Sequence, residues 1–296
     1  MKVLIADDDE ITLVTLETLL VDLGHDVLIA HDGLEAWDAI RTEDAPLLAI
    51  LDWMMPGMDG IEICRRLRQG EKRPYQYLIM LTAKQEMEDL VLSIESGADD
   101  YLRKPCDYRE LRARLSAGER ILALQDELRA RATFDELTGL LNRATILERL
   151  QRELSHAARK REAASVVLVD IDNFKAVNDT HGHLVGDEVL REASKRLAAR
   201  MRSYDELGRY GGEEFLAVLP GCGLACALEV AERMRQSVSA LAVSTSSGPV
   251  SLTASLGVAS APDGHPIDIG ELVATADAAL YRAKRAGRNC VEGPAK

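Results

Sequence analysis

The stretch RYGGEEFLAVLP, Arg209 to Pro220, sets two adjacent glycines and two adjacent glutamates ahead of an apolar run. A short apolar run leaving a Gly-containing polar turn reads as a buried strand of a hairpin. A hairpin makes neighbouring strands antiparallel, so this half of the chain is expected to be α+β. The turn itself has two readings. Either Gly211 and Gly212 only tighten a hairpin, or the bare backbone clears space for a polyphosphate while Glu213 holds its cation.

The flanking segments bear on that choice. SVVLVDID (Ser165–Asp172) is a strand ending in two acids, Asp170 and Asp172, expected on opposite faces. NFKAVNDTHGHLVGDEVL (Asn173–Leu190) is expected to be a polar loop opening a helix from Asp187 to about Met201. A helix near residues 225–241, the strand VSLTASLGVAS and the helix GELVATADAALYRAKRAG follow. With SVVLVDI beside the hairpin, Asp170 and Glu213 can reach one cation. Lys284 and Arg288, four apart at or near the end of the last helix, are expected to share a face and take phosphates. Asn178 and Asp187 offer the amide and carboxylate that can read a guanine edge. Singly, each has a plainer explanation: a turn, a helix start, solvated charges.

Ahead of this half, residues 1–118 alternate apolar runs with amphipathic stretches. KVLIA, DVLIA, LLAILD, YLIMLT and a shorter run at Tyr101–Leu102 read as buried parallel strands. Thr12–Leu23, with Leu13, Leu16, Leu19, Leu20 and Leu23 on one face, reads as a helix. Such a doubly wound sheet carries its site at the carboxyl ends of its strands. Asp7, Asp8, Asp52, Thr82 and Lys104 fall there. Converging carboxylates repel unless a cation such as Mg2+ neutralises them, and one could then accept a phosphoryl group. The bland alternative is strand capping and solvated loops.

Composition excludes several classes. The 296 residues are 47% hydrophobic with net charge −13, and length suggests about two domains. Residues 1–118 carry 13 Lys+Arg against 24 Asp+Glu, which argues against a nucleic-acid surface there, and no basic recognition helix follows. No apolar run approaches the roughly 20 residues that span a bilayer, and MKVLIADDDE does not read as a signal peptide. A cytoplasmic protein with no membrane partner is expected. Its five cysteines (64, 106, 222, 226, 290) are expected to be reduced thiols. Tyr108–Leu137 is rich in helix formers, and Leu111, Leu115, Ile121, Leu124 and Leu128 could make a short coiled-coil seam that Gly118 interrupts. A plain linker is the alternative.

LIADDDE, LDWMMPGMDG, LTA and YLRKP together resemble response-regulator receiver domains. The resemblance implies Asp52 as phosphoacceptor, Asp7 and Asp8 as Mg2+ ligands, Thr82 and Lys104 as phosphoryl contacts, and Tyr101 as an aromatic switch. Cys106 departs from the aromatic common after KP. DELTGLLNR, DIDNFKAVNDTHGHLVGD, RYGGEEF and ALYRAKRAGRN resemble the GGDEF domains of diguanylate cyclases, in the GGEEF variant. That resemblance implies an α+β palm-like domain turning two GTP into cyclic di-GMP. It gives Asp170, Glu213 and the Ile171 carbonyl to Mg2+, Asn178 and Asp187 to guanine, and Lys284 and Arg288 to phosphates. Glu214 would be a second metal contact or help deprotonate the attacking hydroxyl. Asp135 and Arg143 are expected to pair. RSYD (Arg202–Asp205) matches the RxxD inhibitory motif, with Arg233 as a further product contact.

The expected plan is a doubly wound five-stranded α/β receiver domain (1–118), a helical linker (119–132) and an α+β GGDEF domain (133–296). The expected activity is a phosphorylation-regulated cyclase acting as a homodimer or higher oligomer, served by a histidine kinase or phosphotransfer protein. The rival is a catalytically silent cyclic di-GMP receptor.

Overall fold

The computed structural model describes residues 1–42, 44–69, 74–83, 87–261 and 267–295. The chain divides into two compact units, Met1–Leu128 and Arg129–Lys296.

The first unit alternates β1 (Lys2–Ala6), α1 (Glu10–Asp22), β2 (Asp26–Ala30), α2 (Gly33–Ile40), β3 (Leu48–Asp52), α3 (Gly60–Gln69), β4 (Tyr77–Thr82), α4 (Met87–Glu95) and β5 (Asp100–Arg103), followed by α5 (Tyr108–Thr133), which belongs to this unit as far as Leu128. The strands pair in parallel in the order β2-β1-β3-β4-β5. Their apolar runs are continuous because both sheet faces are covered, one by the core around Leu13, Leu16, Leu20 and Leu115, the other by that around Ala36, Ile40 and Ile63. Asp9 caps α1, accepting from the Ile11 and Thr12 amides.

Helix α5 is continuous from Tyr108 to Thr133, but the expected seam splits. Leu111, Leu115 and Leu122 are buried in the first unit's core, whereas Ile121, Leu124 and Leu128 are exposed. Gly118 is a packing position: a Cβ there would lie 2.6 Å from the Tyr77 ring and 3.2 Å from Leu48.

The second unit contains α6 (Arg143–Lys160), β6 (Ala164–Ile171), α7 (Phe174–His181), α8 (His183–Ala198), β7 (Glu206–Arg209), β8 (Glu214–Pro220), α9 (Leu224–Ser239), β9 (Val243–Thr245), β10 (Gly248–Val250), β11 (Ala254–Ala261), α10 (Ile269–Arg285) and β12 (Val291–Glu292). Its main sheet runs β12-β11-β6-β8-β7, antiparallel except for the short β11–β12 pair. Strand β6 is buried along its whole length because odd and even residues serve different cores. Val167, Val169 and Ile171 face that of α8 and α9; Val166 and Leu168 face that of α6 and α10. Asp170 has the parity of the second set.

Several local expectations change. The expected loop after Asp172 is helix α7, and α8 already begins at His183, so Asp187 lies inside a helix rather than at its start. Phe174, Val185, Val189 and Leu190 supply the apolar face that carries both helices. Cys222 and Cys226 are not free thiols but a disulfide; the four-residue spacing across the start of α9 brings them together. Among the described residues, no helix is long and apolar enough to cross a membrane.

Candidate functional site

Parallel strands deliver their carboxyl ends to one edge, and the first acid cluster forms there. Asp7 after β1 and Asp52 at the end of β3 are buried, and Asp8 is exposed. Oxygens of the three lie within 4.8 Å of one another, the one such group of three or more potential metal ligands among the described residues. The Lys104 ammonium lies 2.5 Å from Asp7 Oδ2 and 2.5 Å from Asp52 Oδ1. Asp7 Oδ2 is buried and, apart from that ion pair, has no hydrogen bond. Burial raises the Asp52 pKa and the Asp7 charge adds to it, against the opposing Lys104. An all-oxygen acidic set with a spare buried lone pair fits a hard cation such as Mg2+. Thr82 is buried at the end of β4, and Tyr101 on β5 lies under the Arg114 guanidinium, 5.2 Å from ring centroid to Cζ.

The second acid cluster is built by antiparallel register. Asp170 on β6 stands opposite Glu214 on β8, and the Ile171 amide donates to the Glu213 carbonyl at 3.2 Å. The Glu214 carbonyl closes the turn, accepting from the Tyr210 and Gly211 amides. Neither glycine of the turn has a positive φ. At Gly211 a Cβ would lie 2.5 Å from Glu214 Oε2; at Gly212 it would meet nothing within 4 Å. The first glycine thus makes room for the glutamate, and the second borders open space.

Lys284 of α10 reaches Asp170 Oδ2 at 2.7 Å. Burial raises the Asp170 pKa, with Lys284 opposing, Asp172 adding and Arg288 opposing. Burial likewise raises that of Glu214, and Asp170 adds. Lys284 and Arg288 do not share a helix face as expected. The helix ends at Arg285, and Arg288 follows in a turn with φ 65°. Nor do Asp170 and Asp172 diverge: residues two apart on a strand share a side, and the Asp172 charge is felt at Asp170. The Ile171 amide bond ties Glu213 to the end of β6, one residue from Asp170, but among the described residues these acids do not gather as the three of the first unit do.

Asn178 on α7 packs against Gly186 of α8, where any Cβ would collide with its Oδ1. That oxygen is buried without a partner. Asp187 is half-buried one residue further along α8. Elsewhere, Asp205 accepts from the Arg202 amide at 2.8 Å, while the Arg202 guanidinium donates to the Tyr204 hydroxyl at 2.9 Å. Arg233 is exposed on α9.

Asp135 does not pair with Arg143. Its carboxylate takes Arg209 Nη1 at 3.1 and 3.2 Å, and Arg209 also donates to the Gly212 carbonyl at 2.7 Å. Arg143, first residue of α6, instead stacks on Tyr210, 4.7 Å from the ring centroid. The DELTGLLNR segment joins β7 through Leu141, which carries Asp135 to Arg209. Sequence reasoning passed over Arg209 and Tyr210; their adjacency to the two glycines was the available signal.

Two family models match the chain: "Response regulator receiver domain" over residues 3–116 and "Diguanylate cyclase, GGDEF domain" over residues 132–290. Response regulator PleD of Caulobacter vibrioides is 35% identical, the alignment covering 99% of this chain and 66% of PleD. Diguanylate cyclase DosC of Escherichia coli K12 is 43% identical, covering 53% of this chain and 34% of DosC. The chain therefore spans just under two thirds of the one relative's length and about a third of the other's. The solved coiled coil and GGDEF domain of DgcB from Caulobacter crescentus, in complex with c-di-GMP, aligns with TM-score 0.56 and 32% identity. That alignment covers 62% of this chain and 98% of the DgcB chain.

Proposed function

The chain belongs to the GGDEF family, with a response-regulator receiver domain ahead of the matched segment, and on that premise we propose that it is a phosphorylation-regulated diguanylate cyclase, making cyclic di-GMP and two diphosphates from two GTP. The observation that carries the reading is the pairing of Asp170 with Glu214 across β6 and β8, beside a turn whose Gly212 opens on free space.

Asp170, Glu213 and the Ile171 carbonyl would hold Mg2+, which when bound neutralises phosphate charge and makes the attacking hydroxyl more acidic. Lys284 and Arg288 bring positive charge to the terminal phosphates. The unpartnered Asn178 Oδ1 accepts from guanine, and the Asp187 carboxylate accepts from a second guanine N–H. Glu214, with its raised pKa, is suited to take the proton of the attacking 3′-hydroxyl. In each transfer a 3′-oxygen–phosphorus bond forms at the α-phosphorus of the facing GTP. The α–β phosphoanhydride bond breaks and diphosphate leaves. Each domain holds one GTP, so two must face each other and a monomer is inactive.

In the receiver domain Asp52 accepts the phosphoryl group from a histidine kinase or phosphotransfer protein; Asp7, Asp8 and Asp52 would hold Mg2+, which would neutralise the phosphoryl charge. Lys104 and Thr82 then bind phosphoryl oxygens, and Tyr101 relays the change. Arg202, Asp205 and Arg233 bind cyclic di-GMP and hold paired domains apart, giving product inhibition. The exposed Ile121, Leu124 and Leu128 supply the seam of a dimeric stalk. The test is turnover of GTP with Mg2+ by the purified chain, assayed for cyclic di-GMP with and without beryllofluoride as the Asp52 phosphoryl mimic. Synthesis stimulated by the mimic is expected. Equal synthesis in both removes the gate, and no product removes the cyclase.

A further inference from the structure

Asp172 has no part in the proposed chemistry, yet it is as buried as Asp170. Its carboxylate faces neutral donors: Thr253 Oγ1 at 2.7 Å, Ser255 Oγ at 2.7 Å and the Asn289 amide at 3.0 Å. A buried carboxylate with no cation beside it is costly unless its hydrogen bonds accomplish something the fold needs. Two of these donors belong to β11 and the segment entering it. The third belongs to the turn after α10, more than 100 residues away in sequence.

That turn is unusual. Gly287, Arg288 and Asn289 are successive residues with φ of 114°, 65° and 47°. The left-handed region disfavours a side chain such as Arg, and such residues persist only where surrounding bonds over-determine them. Here the bonds come from two sides. Asp172 takes the Asn289 amide, and Arg235 of α9, itself held by Glu232, donates to Asn289 Oδ1 at 2.7 Å. Between these two anchors and the end of α10 lies Arg288, whose amide is bonded to the Ala283 carbonyl at 3.1 Å. Its positive charge is felt at Asp170.

We propose that Asp172 and Arg235 are positioning residues that clamp Asn289, one by its backbone amide and the other by its side-chain oxygen, fixing the left-handed turn that aims Arg288 at the nucleotide phosphates. The proposal rests on the nucleotide-site reading above. It explains why a side chain that only accepts is buried there: an amide in its place would bring a donor against donors and release the turn. It also assigns α9 a role in the site without its touching substrate.

The test uses the full chain and the variants Asp172→Asn, Arg235→Ala and Arg288→Ala, with each clamp variant combined with Arg288→Ala. Affinity for a non-reacting GTP analogue with Mg2+ is measured by calorimetry, and KM and kcat by cyclic di-GMP formation. Each clamp variant is expected to lose about tenfold in affinity, appearing mainly in KM because Arg288 serves substrate binding rather than the chemical step. In the Arg288→Ala background neither should lose more, since both act through Arg288. Additive losses, or a fall in kcat at unchanged affinity, overturn the clamp. Arg235→Ala carries the test alone should Asp172→Asn not fold. An unmodified chain that binds the analogue but makes no cyclic di-GMP sinks the cyclase and leaves the clamp to the binding measurements. No binding by the unmodified chain overturns both.

Discussion

The two acid clusters use the same internal counter-ion and differ in how far they are assembled. In the receiver unit Lys104 reaches Asp7 and Asp52, both at 2.5 Å; in the second unit Lys284 reaches Asp170 at 2.7 Å. Each ammonium lies on the carboxylate proposed for Mg2+. The receiver acids, brought by separate parallel strands to one edge, lie within 4.8 Å of one another. They suit a small phosphoryl group, for which a compact cage suffices. The other acids come from facing positions of an antiparallel pair, and Gly212 leaves the space beside them clear. A Mg2+ ion held there would draw further ligands from substrate phosphates. One topology gathers ligands; the other leaves places for ligands that the substrate brings.

The sharpest break in that comparison would be a cyclase site that did not need its acids. Glu213→Ala is expected to lower cyclic di-GMP synthesis on the order of 10³-fold. Product binding at Arg202 and Asp205, measured by calorimetry, should be unchanged. Synthesis within tenfold of the unmodified chain would remove Glu213 from the site. A smaller effect tests the shared counter-ion. Lys104→Ala should raise the affinity of the receiver site for Mg2+ roughly tenfold, because a partly buried cation no longer competes. Trp53, next to Asp52 in sequence, reports that binding by fluorescence. Lys284→Ala should raise Mg2+ affinity at Asp170 by less, since Lys284 pairs with one carboxylate where Lys104 pairs with two, while raising KM for GTP. Equal gains at both sites would erase the distinction between cage and half-site.

The receiver fold was the more legible half for the same topological reason. Runs such as LLAILD and YLIMLT are apolar throughout because both faces are covered, and their terminal polar residues mark the active edge. In the second half the acids and glycines were legible, but their supports were not. Helix α7 was hidden by its Asn, Asp and Thr content, since tertiary packing of Phe174 and Val177 outweighs weak propensity. Arg288 was misplaced because i,i+4 spacing means a shared face only while the helix continues. Gly118 looked like a flaw in a seam. It is where Tyr77 and Leu48 press on the α5 backbone, so Gly118→Ala is expected to cost about 1–3 kcal/mol by overpacking. A thermal melt of the full chain should show the loss in the receiver transition, and an unchanged melt would mean the ring moves aside freely.

The smallest effect concerns Asp135, which belongs to neither cluster yet holds the turn of one. Burial tends to raise its pKa, but the Thr138 hydroxyl and amide and the Arg209 guanidinium overcome that and bring it below its ordinary 3.8. A carboxylate whose folded pKa is depressed adds stability above its unfolded pKa and loses it as pH falls through the folded one. Asp135→Asn should therefore be less stable than the unmodified chain at pH 7 by a margin constant down to about pH 4 and closing below it. Denaturant midpoints read at each pH follow that margin. The variant also frees Arg209 from one of its two anchors, leaving the Gly212 carbonyl as the other. GTP turnover should then fall severalfold more than Mg2+ affinity at Asp170 does, because the turn loosens while the acids stay in register. A margin that closes already between pH 7 and pH 5 would assign the stability to another group. An equal fall in turnover and Mg2+ affinity would mean that Asp135 holds the strands and not the turn.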